Sequence, residues 1–208
     1  MSETTKRPRR TPGPHERKID AERSRRLLLD AALDEFSAKG FAGARVQDIA
    51  DRAGVNKQLI NYYFGGKEGL YCEIGRRWLA REAEFNDPSV PLEELMARYL
   101  AHALADPRGT RLNAWRGLTE DLDDIPGDRE DLSDMERRKA AGELADDLDP
   151  AAVMLVMMAA VAAPVVMPLA VRRVFGVGPD SPEFQDRYAD QLRRIVRRLA
   201  GDPPAQGG

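Results

Sequence analysis

The sequence is poor in the residues on which disulfide-rich domains, metal sites and β-sheets depend. Among 208 residues there are one cysteine and two histidines, and aromatic residues make up 6%. A single thiol excludes an internal disulfide, and an isolated imidazole binds metal poorly. Segments with the alternating apolar and polar residues of half-buried strands are also missing. We therefore predict an all-α protein.

Patterns that indicate catalysis are missing too. His15 and His102 are far apart in the sequence, no glycine-rich phosphate loop occurs, and no serine lies in a nucleophile motif. We predict no catalytic residue, no metal site and no cofactor. Cys72 falls in a helical pattern, where we expect a small buried side chain.

Signals for secretion or membrane insertion are weak. The basic N-terminus is not followed by an apolar segment, which favours a cytoplasmic protein. One uncharged segment begins at Ala151 and ends at Val171, the length of a membrane span. Pro164 and Pro168 interrupt it, and we expect a break near Ala163. A buried helix is favoured over a membrane anchor.

Charge is distributed unevenly along the chain. The net charge is −3, but the first 80 residues carry 16 Lys and Arg against 11 Asp and Glu, whereas the remainder carries 16 against 24. A basic end beside an acidic body suits a protein that meets a polyanion with one end only.

Residues 45–70 are the most informative stretch. They predict two short helices separated by a tight turn, with a third helix beginning at the end. Gly54 is expected to end the first helix in left-handed backbone, and Asn56 is placed to cap the second. The apolar stripe of the first helix consists of Val46, Ile49, Ala50 and Ala53.

The second of these helices has two different faces. Amides recognise adenine edges, and cations and hydroxyls reach guanine or phosphate, so its polar face suits a helix that enters a major groove. The alternative is a buried helix pair with an ordinary polar surface. The polar face holds Lys57, Gln58, Asn61 and Tyr62, and the packing face holds Ile60, Tyr63 and Phe64.

A series of short motifs occurs in order along about residues 24–74. They are Ala31-Ala32, Phe36, Gly40-Phe41, Ile49-Ala50, Ala53-Gly54-Val55, Asn61-Tyr62-Tyr63-Phe64 and Lys67-Glu68-Gly69-Leu70. This stretch resembles the DNA-binding domain of the TetR family of bacterial transcriptional regulators, in which such residues occur in the same order.

Three departures from the family pattern stand out. Ala44-Arg45 stands where a capping threonine or serine is usual, Leu59 occupies a position that is often small or hydroxylated, and Asn61 replaces the first tyrosine of an aromatic pair. We expect these differences to change the operator that is recognised rather than the fold.

The resemblance implies a DNA interface in which some residues contact bases and others contact phosphate. Leu59 is a candidate for contact with a thymine methyl group. The candidates for base edges are Gln47, Lys57, Gln58, Asn61 and Tyr62, and those for phosphate are Arg45, Tyr63 and Lys67.

The expected organisation has four parts. A disordered basic arm (residues 1–20) precedes a three-helix helix-turn-helix domain (21–66), an effector-binding and dimerisation domain (67–200) and a disordered tail (201–208). The arm is either a further DNA contact or a solvated tail. The helices are expected at residues 22–39 (ended by Gly40), 67–85, 92–105, 111–122, 128–147 and 183–199, with turns at residues 106–109 and 123–128.

The resemblance also implies a homodimer and an effector. Dimerisation would use residues 151–171 and a last helix that begins at Glu183 and ends at Leu199, so that the dimer reads a near-palindromic operator. A small molecule would bind the body and release a repressor from DNA. The candidate lining residues are Trp78, Met96, Tyr99, His102 and Trp115.

Other functions remain open at this point. A protein-interaction module would also use amphipathic helices, and a regulator without an effector would respond to its own concentration. An enzyme and a membrane-anchored protein have the least support from the sequence.

Overall fold

The computed structural model describes residues 14–119 and 130–200, and within these ranges the chain forms helices and turns without a strand. The all-α prediction is confirmed. The described helices are α1 (Pro14–Gly43), α2 (Val46–Ala53), α3 (Gln58–Phe64), α4 (Lys67–Phe85), α5 (Leu92–Ala105), α6 (Arg108–Thr119), α7 (Ser133–Ala140), α8 (Pro150–Val166), α9 (Pro168–Phe175) and α10 (Pro182–Arg197).

Helix α1 is longer than the sequence pattern indicates. It begins at Pro14, so residues 14–20 of the predicted disordered arm are helical, and residues 1–13 lie outside the described ranges. Gly40 interrupts α1 with φ 68°, a left-handed conformation that glycine adopts without steric cost. The predicted end at Gly40 therefore marks a real kink.

The first core joins α1, α2, α3 and the start of α4. Phe36 is completely buried at its centre, and its ring contacts Phe41 at 6.0 Å and Tyr71 at 5.1 Å between centroids. This core confirms the predicted apolar stripe of α2 and the predicted packing face of α3. Its fully buried members are Leu28, Ala32, Phe36, Ile49, Ala50, Ile60 and Leu70.

A second core lies in the body, where α5, α7, α8 and α10 meet. Tyr188 of α10 also donates a hydrogen bond from its hydroxyl to the Ala160 carbonyl of α8 at 2.8 Å. The buried members are Leu92, Leu100, Met135, Leu144, Val153, Met157, Leu192 and Val196. The two hydrophobic cores are separate, and Leu112 of α6 belongs to the first of them.

Several predicted boundaries were wrong. Helix α6 begins at Arg108 rather than at residue 111, so the predicted turn at residues 106–109 is shorter. The predicted helix 128–147 is reduced to α7, because Asp131 accepts from the Ser133 amide at its start and Gly142 turns the chain with φ 81°. The predicted loop 123–128 lies outside the described residues. Cys72, expected to be buried, is exposed on α4.

The uncharged segment forms two helices rather than one. The break comes at Met167 and not near Ala163, and Pro164 lies inside α8. Met167 precedes Pro168, and a residue before proline is driven away from helical backbone. In the described ranges no single helix is long and apolar enough to span a membrane, and the pair α8 and α9 is bent by 88°.

Candidate nucleic-acid interface and internal cavity

Helices α2 and α3 form the predicted helix-turn-helix. Gly54 ends α2 with φ 66°, and the Val55 amide donates to the Ala50 carbonyl at 3.1 Å, which tightens the turn. The Asn56 side-chain oxygen accepts from the Gln58 amide at 2.9 Å and so satisfies one free donor at the start of α3. The sequence therefore folds locally as its turn residues require.

The outer face of α3 is exposed and polar. Ile60 is completely buried on the inner face, whereas 80% of Tyr62 is exposed on the outer face. Lys57, Gln58 and Asn61 are exposed beside it. The side chains of these four residues form no hydrogen bond or ion pair with the described part of the chain. A cation, two amides and a phenol thus share one unoccupied surface.

The other predicted DNA contacts have different surroundings. Arg45 is exposed at the start of α2 without capping it, and the Gln47 amide donates to Asp51 at 2.8 Å. Leu59 and Tyr63 are half-buried against the first core. The Lys67 ammonium lies 4.5 Å from the Phe41 ring centroid, a cation–π contact. Lys67 therefore has a partner inside the protein.

A charged cluster joins α6 to α1. The Arg108 guanidinium donates to Asp30 and Asp34 of α1 and to Asp106, each at 2.8 Å. The hydrogen bond to Asp106, and then those to Asp34 and Asp30, raise the pKa of Arg108 despite its partial burial. The Arg108 hydrogen bond in turn lowers the pKa of Asp106. Arg52 of α2 reaches Asp34 at 3.4 Å.

Arg108 is not among the functional candidates predicted from the sequence. Asp106 and Pro107 predicted a turn there, and a turn arginine is ordinarily solvated. Only the packing of α6 on α1 brings its guanidinium to residues more than 70 positions earlier in the chain. No local pattern encodes that packing.

The body contains a cavity of about 990 Å³ between α1, α4, α5, α6, α7 and α8. Leucine and methionine side chains form much of the apolar part of its wall, and thioether side chains adapt their shape to different contacts. Five of the seven methionines of the chain contribute, namely Met96, Met135, Met154, Met157 and Met158.

The structure brings together some of the five predicted effector residues. Trp78, Met96 and Tyr99 line the cavity. His102 is not part of the lining, and its ring centroid lies 5.6 Å from that of Trp78. Burial, and then the charge of Arg81, lower the pKa of His102. Trp115 does not line the cavity; it packs on Gly40, where an added Cβ would lie 3.1 Å from the indole.

An apolar surface runs along α8 and α9. Leu155 and Val156 are 68% and 65% exposed, and Leu169 and Val174 of α9 are 70% and 76% exposed. Ile195 adds an exposed apolar side chain on α10. Exposed apolar side chains thus recur on α8, α9 and α10.

Metal ligands do not converge in the described ranges: no group of three or more His, Cys, Asp or Glu side chains there has the arrangement of a metal site.

Comparison with known proteins identifies the first domain. Residues 28–74 match the family described as bacterial regulatory proteins, tetR family. The HTH-type transcriptional repressor SCO4008 of Streptomyces coelicolor is 29% identical over 189 residues, which cover 86% of this chain and 96% of that protein. The HTH-type transcriptional regulator RutR of Escherichia coli is 34% identical over 143 residues, or 64% of this chain and 66% of RutR.

Solved structures extend the likeness to the body. The transcriptional regulator SCO4942 of Streptomyces coelicolor superposes with a TM-score of 0.69 and 27% identity, covering 86% of this chain and 99% of that one. A TetR-family regulator from Chloroflexus aurantiacus shares the fold with a TM-score of 0.59 and 21% identity, covering 85% and 93%. The chain therefore belongs to the TetR family of bacterial transcriptional regulators.

Proposed function

We propose that the protein is a homodimeric, sequence-specific DNA-binding regulator that represses transcription and leaves its operator when a small molecule occupies the body. The observation that carries the proposal is the outer face of α3. Lys57, Gln58, Asn61 and Tyr62 are exposed there without hydrogen-bonding partners in the described chain. A purely structural helix has no need for this combination of donors and acceptors.

The DNA contacts follow from the position of each side chain. Lys57, Gln58, Asn61 and Tyr62 face outward and contact base edges, as amides and cations do in a major groove. Gln47 joins them once its hydrogen bond to Asp51 is exchanged for a base. Arg45, Tyr63 and Lys67 contact phosphate at the edges of the groove, and the half-buried Leu59 meets a thymine methyl group.

Dimerisation uses α8 and α10. The exposed apolar side chains of α8 and the neighbouring Ile195 supply the surface that a second copy would cover. A two-fold dimer places two α3 helices on one side of the DNA, so the operator is a near-palindrome with half-sites about 34–36 Å apart or a multiple of that distance.

The effector occupies the cavity lined by Trp78, Met96 and Tyr99. The volume of this cavity lies near the upper end of the usual range for small-molecule sites, about 300–1,000 Å³. An apolar wall rich in methionine favours an apolar or aromatic compound. The occupant releases DNA only if it binds the non-DNA-binding conformation more tightly.

The experiment is fluorescence anisotropy of labelled duplexes from around the protein's own gene, titrated with protein across a salt series. We expect tight binding to one duplex and weak, steeply salt-dependent binding to an unrelated duplex of equal length. The variant Lys57→Ala/Tyr62→Ala should lose the tight binding while its unfolding transition stays unchanged. Arg98→Ala, an exposed cation on α5, is the matched control and should bind like the parent.

Two results would contradict the proposal. If Lys57→Ala/Tyr62→Ala bound the selected duplex as well as the parent, the assignment of the α3 face would be wrong. If the parent bound no duplex specifically, including those from a selection over genome fragments, a protein-interaction role for the helix-turn-helix would replace DNA recognition.

A further inference from the structure

We infer that the cavity takes an apolar organic anion, whose charged group binds at a basic corner formed by Arg26 of α1 and Arg81 of α4. The inference rests on the proposed function, because it names the chemical class of the effector expected in the same cavity. Two observations carry it: the charged side chains of the cavity wall are mostly paired with one another, and the two that form the basic corner are not.

The aspartates of the cavity wall have strong partners within the protein. Asp30 and Asp106 both accept from Arg108 at 2.8 Å, and Asp134 accepts from the buried Arg138 at 2.7 Å. These carboxylates are neutralised in place. A ligand therefore has no counter-charge to supply on their account.

The remaining acidic side chains of the wall lie just before α7. Asp131 accepts from the Ser133 amide at 2.9 Å. Glu130 forms no hydrogen bond or ion pair within residues 14–119 and 130–200. The wall thus holds a single carboxylate without a partner.

Two arginines of the same wall also lack partners. Arg77 pairs with Glu73 at 3.3 Å, and Arg116 has contacts of its own. Arg26 and Arg81 line the cavity but form no hydrogen bond or ion pair in the part of the chain that the structure describes. Two guanidinium groups against one carboxylate leave the uncompensated charge of the wall positive.

Arg26 and Arg81 border the same side of the cavity. Arg26 lies one helical turn before Asp30 on α1, and Asp30 shares Arg108 with Asp106. Arg81 is near the same group, because its charge, after the hydrogen bonds and charge of Arg108, also lowers the pKa of Asp106. The two unpaired cations therefore lie close to one ion cluster.

Desolvation explains why the occupant needs a negative charge. A molecule that fills the cavity displaces water from the basic corner, and a charged group that loses water without gaining an acceptor is strongly destabilised. A carboxylate on the occupant supplies acceptors in the planar geometry that guanidinium groups prefer. The rest of the occupant packs on apolar side chains such as Met96, Met154 and Met157.

The first test compares three probes that share a decyl chain and differ in charge: decanoate, 1-decanol and decyltrimethylammonium. Isothermal titration calorimetry with the full chain, without DNA, measures each affinity. We expect decanoate to bind at least about tenfold more tightly than the other two, the order expected of a charge-assisted hydrogen bond. Arg26→Gln/Arg81→Gln should bind decanoate no more tightly than 1-decanol.

Arg98→Gln is the matched control, because Arg98 is an exposed arginine of α5 that does not line the cavity. It should keep the preference for decanoate. The single variants Arg26→Gln and Arg81→Gln should each lose part of that preference, so the test does not depend on the double variant alone. Thermal unfolding of each variant shows that it is folded.

Four results would overturn the inference. They are equal affinity for the three probes, binding of none of them, tightest binding of decyltrimethylammonium that is lost in Glu130→Gln, and a preference for decanoate that persists in Arg26→Gln/Arg81→Gln.

A second measurement uses the unmodified protein. Burial, and then the charge of Arg81, lower the pKa of His102. A carboxylate bound to Arg81 offsets that charge, whereas 1-decanol displaces water without offsetting it. We therefore expect the pKa of His102, measured by NMR, to be higher with decanoate than with 1-decanol. His102→Gln identifies the signal, since His15 is the other histidine of the sequence. Equal values with the two probes would overturn the assignment of Arg81.

Failure of this inference and failure of the proposed function are distinguishable. A parent protein that binds one duplex specifically but shows no preference for decanoate would remain a regulator and lose the anion site. A parent that binds decanoate through Arg26 and Arg81 but no duplex specifically would keep the anion site and lose the proposed function.

Discussion

Two arginines, Arg108 and Arg138, hold carboxylates at nearly the same distances in very different surroundings. The Arg138 side chain is completely buried and binds Asp134 and Glu143, each at 2.7 Å. The Arg108 side chain is 29% exposed and binds its carboxylates at 2.8 Å. The partners of Arg138 are close in the sequence, whereas Asp30 and Asp34 are more than 70 positions from Arg108.

This difference in partners indicates a difference in role. Arg138 ties α7 to the segment that follows it, and Glu143 also accepts from the Leu92 amide at the start of α5 at 3.1 Å. The cluster is therefore internal to the body. Arg108 instead bridges the body and the DNA-binding domain and keeps contact with water. We expect Arg138 to determine stability and Arg108 to determine the relative position of two domains.

The largest predicted effect is that of Arg138→Met on stability. Removal of the guanidinium takes its buried hydrogen bonds from Asp134 and Glu143, which are 29% and 33% exposed, and hydrogen bonds to charged groups contribute about 1.5–3 kcal/mol. Urea unfolding at pH 7 measures the change. The folded fraction should bind DNA like the parent, since no contact of Arg138 reaches α1.

Arg137→Met is the control on the same helix. Arg137 also pairs with Asp134, but its side chain is 49% exposed, and an exposed pair contributes about 0–1 kcal/mol. Equal destabilisation by Arg137→Met and Arg138→Met would show that burial is not what separates the two sites.

Compared with Arg138→Met, Arg108→Met should lose less unfolding free energy but more affinity for DNA. Its partners retain access to water, and Asp30 is 63% exposed, so we expect each of these pairs to contribute only about 0–1 kcal/mol. Its effect on operator affinity should nevertheless exceed that of Arg138→Met. The comparison fails if the variant with the larger loss of unfolding free energy also shows the larger loss of DNA affinity.

The predictability of these regions from sequence differs for a physical reason. The helix-turn-helix was predictable because Gly54, Asn56 and the apolar stripe act within a few residues of one another. The α6 start and Arg108 were not, because their environment is created by α1. The break at Met167 was predicted at the wrong position because the segment contains two prolines, and local rules do not decide which of them a helix tolerates.

The cavity shows the same limit. Trp78, Met96 and Tyr99 were predictable as large side chains on inward faces of α4 and α5. Trp115 has the same character, yet it packs on Gly40 because that kink in α1 leaves room for an indole. Which face of α6 meets the cavity depends on its rotation against α1, and this rotation is a tertiary property.

Acid titration provides a smaller test of the Arg108 cluster. The hydrogen bond from Arg108 lowers the pKa of Asp106 in the folded protein, so Asp106 contributes stability above its ordinary pKa of about 3.9. That contribution is lost as the pH falls through the lowered value. Arg108→Met should therefore flatten the fall of unfolding free energy below pH 4. An unchanged slope in urea titrations would contradict the role of this hydrogen bond.

We expect the smallest effect from His102, whose ring lies against that of Trp78. Burial, and then the charge of Arg81, lower the pKa of His102, while Asp106 acts in the opposite direction. The unfolded chain therefore binds a proton at a higher pH than the folded protein does. Stability is fully present above the ordinary histidine value of about 6.5 and is lost as the pH falls through the lowered value. Arg108 and Arg138 stay charged throughout this pH range. His102→Gln should therefore remove this slope without changing the loss of stability below pH 4 that Asp106 causes. Unfolding free energies measured from pH 8 to pH 5 test the prediction, and a slope that persists in His102→Gln would assign it to another group.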